Sequence, residues 1–422
     1  MAKIYLETYG CTLNQADSDI MAGILSGSGH VLVDEEGKAE IIIINTCTVK
    51  GATECKTLEK LKRLGGGGKP VVVAGCMTVN SQRIREALPK AVLVWPSAIG
   101  HIGKAILAAK KGQVLDFREA MKKDYYVRLF TAPILRIPIG EGCTGNCHFC
   151  QTKLARPGLK SYSKGTILEW IKRGIERGAR EIQLTAMDCG SYGIDCGSDL
   201  IELLESIVAM DDHFKVRLGM INPEHVVRMK DGIIKALKSP KFYRFLHMPV
   251  QSGSNKVCLE MNRSHSPGDF EEMVSVFRNE MPDITIATDI IVGYPTETAD
   301  DFGETKGMIL RVKPDIINLS KFSARPGTKA KEMMQLSSEE VKKRSVEISE
   351  IIRRTCREGK ERYVGKVMDI TITEHRKDFT GRTDNYKQVV VNGFDGELGA
   401  RIKVRITEAS HSSLFGEVQE ND

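Results

Sequence analysis

A chain of 422 residues with a net charge of +6 is too long for one ordinary domain and has ample length to bury a core. The stretch Met1 to Glu7 lacks the apolar segment of a signal peptide, and the aliphatic run Ile41 to Ile44 is too short to cross a bilayer, so a membrane protein is excluded and a cytoplasmic one is predicted. Eleven cysteines in a reducing compartment point to metal ligation rather than disulfides, and the mild charge permits a nucleic-acid partner without requiring one.

Residues 1–112 alternate short strands and helices. Three apolar strands each finish in a cysteine: Lys3 to Cys11, Ile41 to Cys47 and Val71 to Cys76. Helices are predicted between them at Ser18 to Leu25 and Ala52 to Leu64, the second followed by the breaker Gly65 to Gly68. Strand, helix, strand with short links implies an open parallel sheet, because crossover helices return each strand in the same direction. Cys11, Cys47 and Cys76 then share the carboxyl edge, where open α/β sheets place ligands. Three buried core cysteines are the plain alternative; the preferred reading is a three-cysteine iron–sulfur site.

Six further strands are expected from about Arg128 to Pro326: Ile134 to Ile139, Glu181 to Thr185, Lys215 to Gly219, Arg244 to Pro249, Ile284 to Gly293 and Asp315 to Phe322. Six parallel strands make a partial barrel with its chemistry at the carboxyl ends. Directly after the first comes Cys143-Thr144-Gly145-Asn146-Cys147-His148-Phe149-Cys150, a C-x3-C-x2-C loop. Three thiolates on so short a loop hold three corners of a four-iron, four-sulfur cluster and leave one iron open. Zinc is the alternative, but a structural zinc site commonly uses paired C-x2-C units, and no second pair lies nearby. Thr185, Asp188, Gln251 and Asp289 stand at other strand ends, where they suit a nucleotide-like ligand or form ordinary turns.

Ser337-Ser338-Glu339-Glu340 has the form of a capping box, and a helix of about 20 residues is predicted from there to Gly359. Val341, Ile348 and Ile352 share one face, while Lys342, Lys343, Arg353, Arg354 and Arg357 form a charge run that is usually solvated. After Tyr363 the pattern turns to period two, with strands at Lys366 to Thr373, Lys387 to Val391, Arg401 to Ile406 and Leu414 to Val418, as in small all-β barrels that bind oligonucleotides. Residues 360–405 hold ten Lys and Arg against seven Asp and Glu, a modest basic surplus that the acidic end, Glu417, Glu420 and Asp422, weakens.

Beyond the cysteines, the segments Gly10-Cys11-Thr12-Leu13-Asn14, Asn45-Thr46-Cys47, Ala74-Gly75-Cys76, Pro249 to Ser254, Asp289 to Pro295 and Arg325-Pro326-Gly327-Thr328 resemble motifs of the radical S-adenosylmethionine (SAM) methylthiotransferases. The likeness runs over nearly the whole chain. The C-terminal piece resembles that family's TRAM domain, and Gly381 to Val389 looks most like the archaeal and eukaryotic branch that modifies N6-threonylcarbamoyladenosine in tRNA. The fold class implied is α/β: an open parallel N-terminal sheet domain (1–112), a central partial (β/α)6 radical-SAM barrel with its linking helix (128–359), and a small all-β TRAM barrel (360–422).

The resemblance implies two four-iron, four-sulfur clusters, one on Cys143, Cys147 and Cys150 and an auxiliary one on Cys11, Cys47 and Cys76, together with SAM. It further implies two uses of SAM, a methyl transfer to sulfur and a reductive cleavage whose radical activates carbon 2 of adenine. Cofactors carry such radical chemistry, and no side chain is assigned a catalytic role. Phe149, Thr185, Asp188, Gln251 and Asp289 are the expected SAM contacts, and Arg325 a contact to phosphate or carboxylate. The implied partners are tRNA, a sulfur donor and a reducing protein such as a ferredoxin or flavodoxin. Cys55, Cys189, Cys196, Cys258 and Cys356 read as packing or incidental, Cys189 being the one that could face the site. Ala186 and Pro157 stand where many relatives carry Gly and an Arg-Gly pair, which bears on transferred substrate contacts. Competing readings are methylthiolation of another tRNA adenosine or of a ribosomal-protein aspartate, and a non-catalytic iron–sulfur RNA-binding protein.

Overall fold

A computed structural model describes residues 1–49, 51–118, 133–375 and 377–419. The expected border at Arg128 and the acidic Glu420 and Asp422 lie outside the described residues. The N-terminal unit is a six-stranded sheet in the order β2-β1-β3-β4-β5-β6, every pair parallel. Its strands are β1 (Lys3–Thr8), β2 (Val31–Val33), β3 (Ile41–Thr46), β4 (Val71–Gly75), β5 (Val92–Val94) and β6 (Asp116–Phe117). Sequence reasoning located β1, β3 and β4 and missed the other three, whose two or three residues are too few to show a period. β3 is buried along its whole length, as expected of a central strand covered on both faces. The helices Thr12–Gly27 and Gly51–Gly65 flank it and start earlier than predicted.

The central unit holds β7 (Ile134–Pro138), the short antiparallel pair β8 (Gly140–Glu141) and β9 (Lys160–Ser161), then β10 (Glu181–Thr185), β11 (Lys215–Arg217), β12 (Phe245–His247), β13 (Thr285–Val292) and β14 (Ile316–Lys321). Two parallel sheets, β11-β10-β7 and β12-β13-β14, are joined by a bridge between Val216 and Phe242 into the expected six-stranded partial barrel. One continuous apolar core fills it, from Leu135 through Ile182, Val216 and Leu246 to Ile286. The linking helix runs Ser338–Glu361 with Ser337 as N-cap, its hydroxyl accepting from the Glu340 N–H at 3.1 Å. Gly359 lies inside this helix rather than ending it, and the Glu340 carboxylate turns to Arg344 at 2.7 Å instead of closing a capping box. Ile348 and Ile352 are buried, and the basic run Lys342, Lys343, Arg353, Arg354 and Arg357 is exposed, the ordinary solvated face.

The C-terminal unit is a closed barrel, β15-β16-β17-β19-β18, of β15 (Val367–His375), β16 (Phe379–Thr383), β17 (Gln388–Asn392), β18 (Arg401–Ala409) and β19 (Leu414–Val418). The unpredicted strand is β16, where Gly381 interrupts the pattern; the Thr371 carbonyl lies within 2.8 Å of where a Cβ would stand. The barrel docks at the amino ends of the central strands, opposite the cysteine loop. Tyr386 enters there at φ +61°, its ring 4.8 Å from Tyr243 and 4.9 Å from Phe245, and Tyr243 and Tyr386 both donate to Glu181 at 3.0 and 3.3 Å. Asp384 pairs with Lys215 at 2.8 Å, and Asn385 donates to the Asp283 carbonyl at 2.9 Å. Lys387 and Lys360 are also buried, Lys387 against Asp315 and Lys360 on the carbonyls of Asp315 and His411 at 3.0 and 2.9 Å. Two cations in the basic surplus counted from sequence are therefore structural.

Two outcomes are expected of this docking. Tyr386→Ala removes a buried aromatic and costs about 3–5 kcal/mol, so limited proteolysis should free a C-terminal fragment early while the remainder stays resistant. Burial opposes ionisation of Asp315, but Lys387, the Ile286 N–H and Arg278 outweigh it and hold the carboxyl below its ordinary value. A depressed carboxyl contributes stability above its unfolded pKa of about 3.9 and loses it as pH falls through the folded value. The stability that Asp315 contributes should therefore fall away below about pH 4, so the gap between the parent and Asp315→Asn should shrink there, read from melting curves across pH.

Candidate active site

β1, β3 and β4 are neighbours, so the turns that follow them bring three cysteines to one edge. Cys11 is the N-cap of helix Thr12–Gly27. The Val49 N–H donates to Cys47 Sγ at 3.4 Å, and a Cβ on Gly10 would stand 3.1 Å from that sulfur. Cys76 opens the short helix Cys76–Asn80, and burial pushes its thiol up to about 12, with Cys11 and Cys47 close enough to add to the shift. Buried amides fix these strand ends: Asn14 donates to the Thr46 carbonyl at 2.7 Å and Asn45 to the Asn14 carbonyl at 2.8 Å. Gly75, at φ +94°, has no room for a Cβ against Asn45 and the Thr46 carbonyl.

The second triad follows β7 on a loop clamped at its base by β8 and β9. Gly142, at φ +72°, lets the chain enter the loop, and a Cβ there would collide with the Gly158 carbonyl. The Gly145 N–H donates to Cys143 Sγ at 3.2 Å, and Cys150 N–H to the Cys147 carbonyl at 3.1 Å. Burial, then Asp188, raises the Cys143 thiol to about 11. Arg263, which sequence reasoning missed, donates to Cys147 Sγ at 3.1 Å and to Asn222 Oδ1 at 2.6 Å.

The expected SAM residues fall at strand ends with different surroundings. Asp188 is fully buried and accepts from the Gly190 and Asn222 N–H groups at 3.0 and 3.2 Å and from the Asn222 side chain at 2.7 Å, so its carboxylate orients Asn222. Thr185 ends β10 and is buried. Gln251 adopts φ +74°, a strained conformation for a side-chain-bearing residue, and bridges Ile290. Asp289 accepts from Asn318 at 2.8 Å and lies 3.0 Å from His247 Nε2. Phe149 packs with Val257, Met261 and Tyr294. Cys189 is buried in the barrel core beneath Gly219, so it serves packing; Cys258 and Cys356 are likewise buried, and Cys55 and Cys196 are exposed.

Three contacts join the two triads across the domain interface. Gln151, next to Cys150, meets Thr48, the Asn80 side chain at 2.9 Å and the Pro326 carbonyl at 2.9 Å. Arg325 is buried against Glu54, which also holds Arg83. Arg156 donates to Cys76 Sγ at 3.4 Å and forms ion pairs with Asp17 and Glu141. Among the described residues, no three His, Cys, Asp or Glu side chains converge on one point that could hold a single metal ion.

Residues 3–95 match the uncharacterised protein family UPF0004, residues 137–309 the radical SAM superfamily and residues 361–419 the TRAM domain. A probable threonylcarbamoyladenosine tRNA methylthiotransferase of Pyrococcus horikoshii is 38% identical over 99% of this chain and 100% of its own. The threonylcarbamoyladenosine tRNA methylthiotransferase of Drosophila melanogaster is 34% identical over 100% of this chain and 78% of its own. The chain belongs to the threonylcarbamoyladenosine tRNA methylthiotransferase family. Membership makes it a radical-SAM enzyme and implies SAM and a four-iron, four-sulfur cluster. Among solved structures, the radical SAM methyltransferase TsrM of Kitasatospora setae superposes with a TM-score of 0.57 at 11% identity over 78% of this chain and 74% of its own, which shows a shared fold. The glycines before Cys76 and Cys143 have no room for a Cβ. A Cβ at Gly142 or Gly75 would collide with backbone, so Gly142→Ala and Gly75→Ala should each lower the melting temperature of the chain by several degrees, read from thermal unfolding.

Proposed function

We propose that this enzyme converts N6-threonylcarbamoyladenosine in tRNA to its 2-methylthio derivative, with one four-iron cluster on Cys143, Cys147 and Cys150 and a second on Cys11, Cys47 and Cys76. The observation that carries the reading is two three-thiol sites at the carboxyl edges of two parallel sheets, linked by Gln151 and Arg156. Bound there, the clusters and SAM would supply the electron, the methyl group and the radical that an unactivated aromatic C–H requires. The chain's own residues hold the geometry. Gln151 and Arg156 fix the domains against each other, Arg263 and Asn222 orient Cys147, and the loop glycines set the thiol directions. Phe149, Thr185, Gln251 and Asp289 are the proposed SAM contacts, with Asp188 acting through Asn222. The division into 1–112, 128–359 and 360–422 follows the same reading.

For tRNA, β18 presents Arg401, Lys403 and Arg405 on alternate, exposed positions, a row suited to phosphates. A sulfur donor and a low-potential reductant such as a ferredoxin or flavodoxin complete the reaction, which is placed in the cytoplasm; no described helix is long and apolar enough to cross a membrane.

Anaerobic turnover with SAM, reductant, sulfide and threonylcarbamoylated tRNA should give a 2-methylthio nucleoside by mass spectrometry. Cys147→Ala should abolish SAM cleavage, while Cys47→Ala should stop sulfur insertion and keep some 5′-deoxyadenosine formation. Modified ribosomal protein with unmodified tRNA would sink the tRNA reading, and absence of 5′-deoxyadenosine from the parent protein would sink catalysis.

A further inference from the structure

Each thiol triad carries one buried guanidinium that donates to a single cysteine sulfur. Arg156 reaches Cys76 Sγ through Nε at 3.4 Å, and Arg263 reaches Cys147 Sγ through Nη1 at 3.1 Å. Neither comes from the element that bears the sulfur: 80 residues separate Arg156 from Cys76, and 116 separate Arg263 from Cys147. Both side chains are at least nine-tenths withdrawn from solvent, where a charge acts with little screening. Both are held in place by other partners, Arg156 by Asp17, Glu141 and the Asn14 amide oxygen, and Arg263 by Asn222 and the Pro249 carbonyl. With its Nη1 and Nη2 groups on Glu141, Asp17 and Asn14, Arg156 directs its Nε–H to sulfur.

The geometry points to Arg156 and Arg263 as separate potential-setting residues, one for each iron–sulfur site. The assignment rests on the two-cluster reading above. Cluster potentials follow net charge and hydrogen bonds to sulfur. Reduction adds negative charge, which a neighbouring guanidinium and its N–H stabilise, so each arginine raises the potential of its own site. Arg156 also lies between the triads, so its loss would leave Asp17 and Glu141 facing the N-terminal sulfurs and drive that potential further down.

The test uses full-length chains that keep one triad, made by replacing the other three cysteines with alanine, reconstituted anaerobically and titrated by EPR. In the chain keeping Cys11, Cys47 and Cys76, Arg156→Gln is expected to disfavour reduction about tenfold, a shift of about 59 mV for one electron, with Arg156→Lys falling between. Arg263→Gln should leave that site unmoved and shift the chain keeping Cys143, Cys147 and Cys150 in the same direction. Potentials unchanged in fully loaded variants would overturn the assignment. So would failure of both the Gln and Lys variants to load iron, which would make the arginines purely architectural. Failure of the parent N-terminal triad to take up iron and sulfide would instead overturn the two-cluster reading.

Discussion

The buried ion pairs of Arg156 fix how the two cysteine sites stand to each other. The residue leaves the cluster loop six positions after Cys150, yet its guanidinium is engaged by Asp17, Glu141 and Cys76, so one side chain ties the barrel, the β8–β9 clamp and the N-terminal sheet. Breaking one partner of such a buried set typically costs about 3–5 kcal/mol, because the remaining charge is stranded. Arg325 with Glu54 repeats the device in a second buried ion pair across the interface. Buried charge thus ties together apolar cores that are themselves separate.

That orientation divides the barrel by function. The carboxyl ends of the strands face the thiols, and the amino ends are plugged by Tyr386 and its neighbours. The segment Gly381 to Val389, which resembles a substrate-branch signature, is in large part a docking device: Thr383 accepts the Lys387 N–H at 2.8 Å, Asp384 and Asn385 bond to the barrel, and Lys387 neutralises Asp315. On β18, Lys403 and Arg405 are exposed, while Arg401, also exposed, pairs with Asp384 at 3.2 Å.

Strands long enough to show a period, with cysteines at their ends, make the parallel sheet, the partial barrel and both thiol triads legible in the amino-acid sequence. The boundaries of β10 and β19 match the expected ones to the residue. What escapes has physical causes. β2, β5 and β6 are too short for periodicity, and β16 contains a glycine that its neighbour's carbonyl requires. Gly359 stays helical because the chain continues to Lys360, whose buried ammonium holds the helix end on three carbonyls. Charge counting does not tell a phosphate-binding lysine from Lys360 or Lys387.

The contacts around the thiols are the least legible, since partners such as Arg156 and Cys76, or Arg325 and Glu54, lie 80 and 271 residues apart. Asp188 shows what such distance hides. Its place at a strand end suggests a ligand contact, but its oxygens are occupied by Gly190, Ser191 and Asn222. Asn222 in turn accepts from Arg263, which donates to Cys147. A carboxylate with the position of a binding group is the anchor of a hydrogen-bonded chain ending on a sulfur. Burial raises its pKa, yet four hydrogen-bond donations from these residues satisfy the carboxylate. The Asn222 side chain is held in the same set, 2.7 Å from Asp188 and 2.6 Å from Arg263.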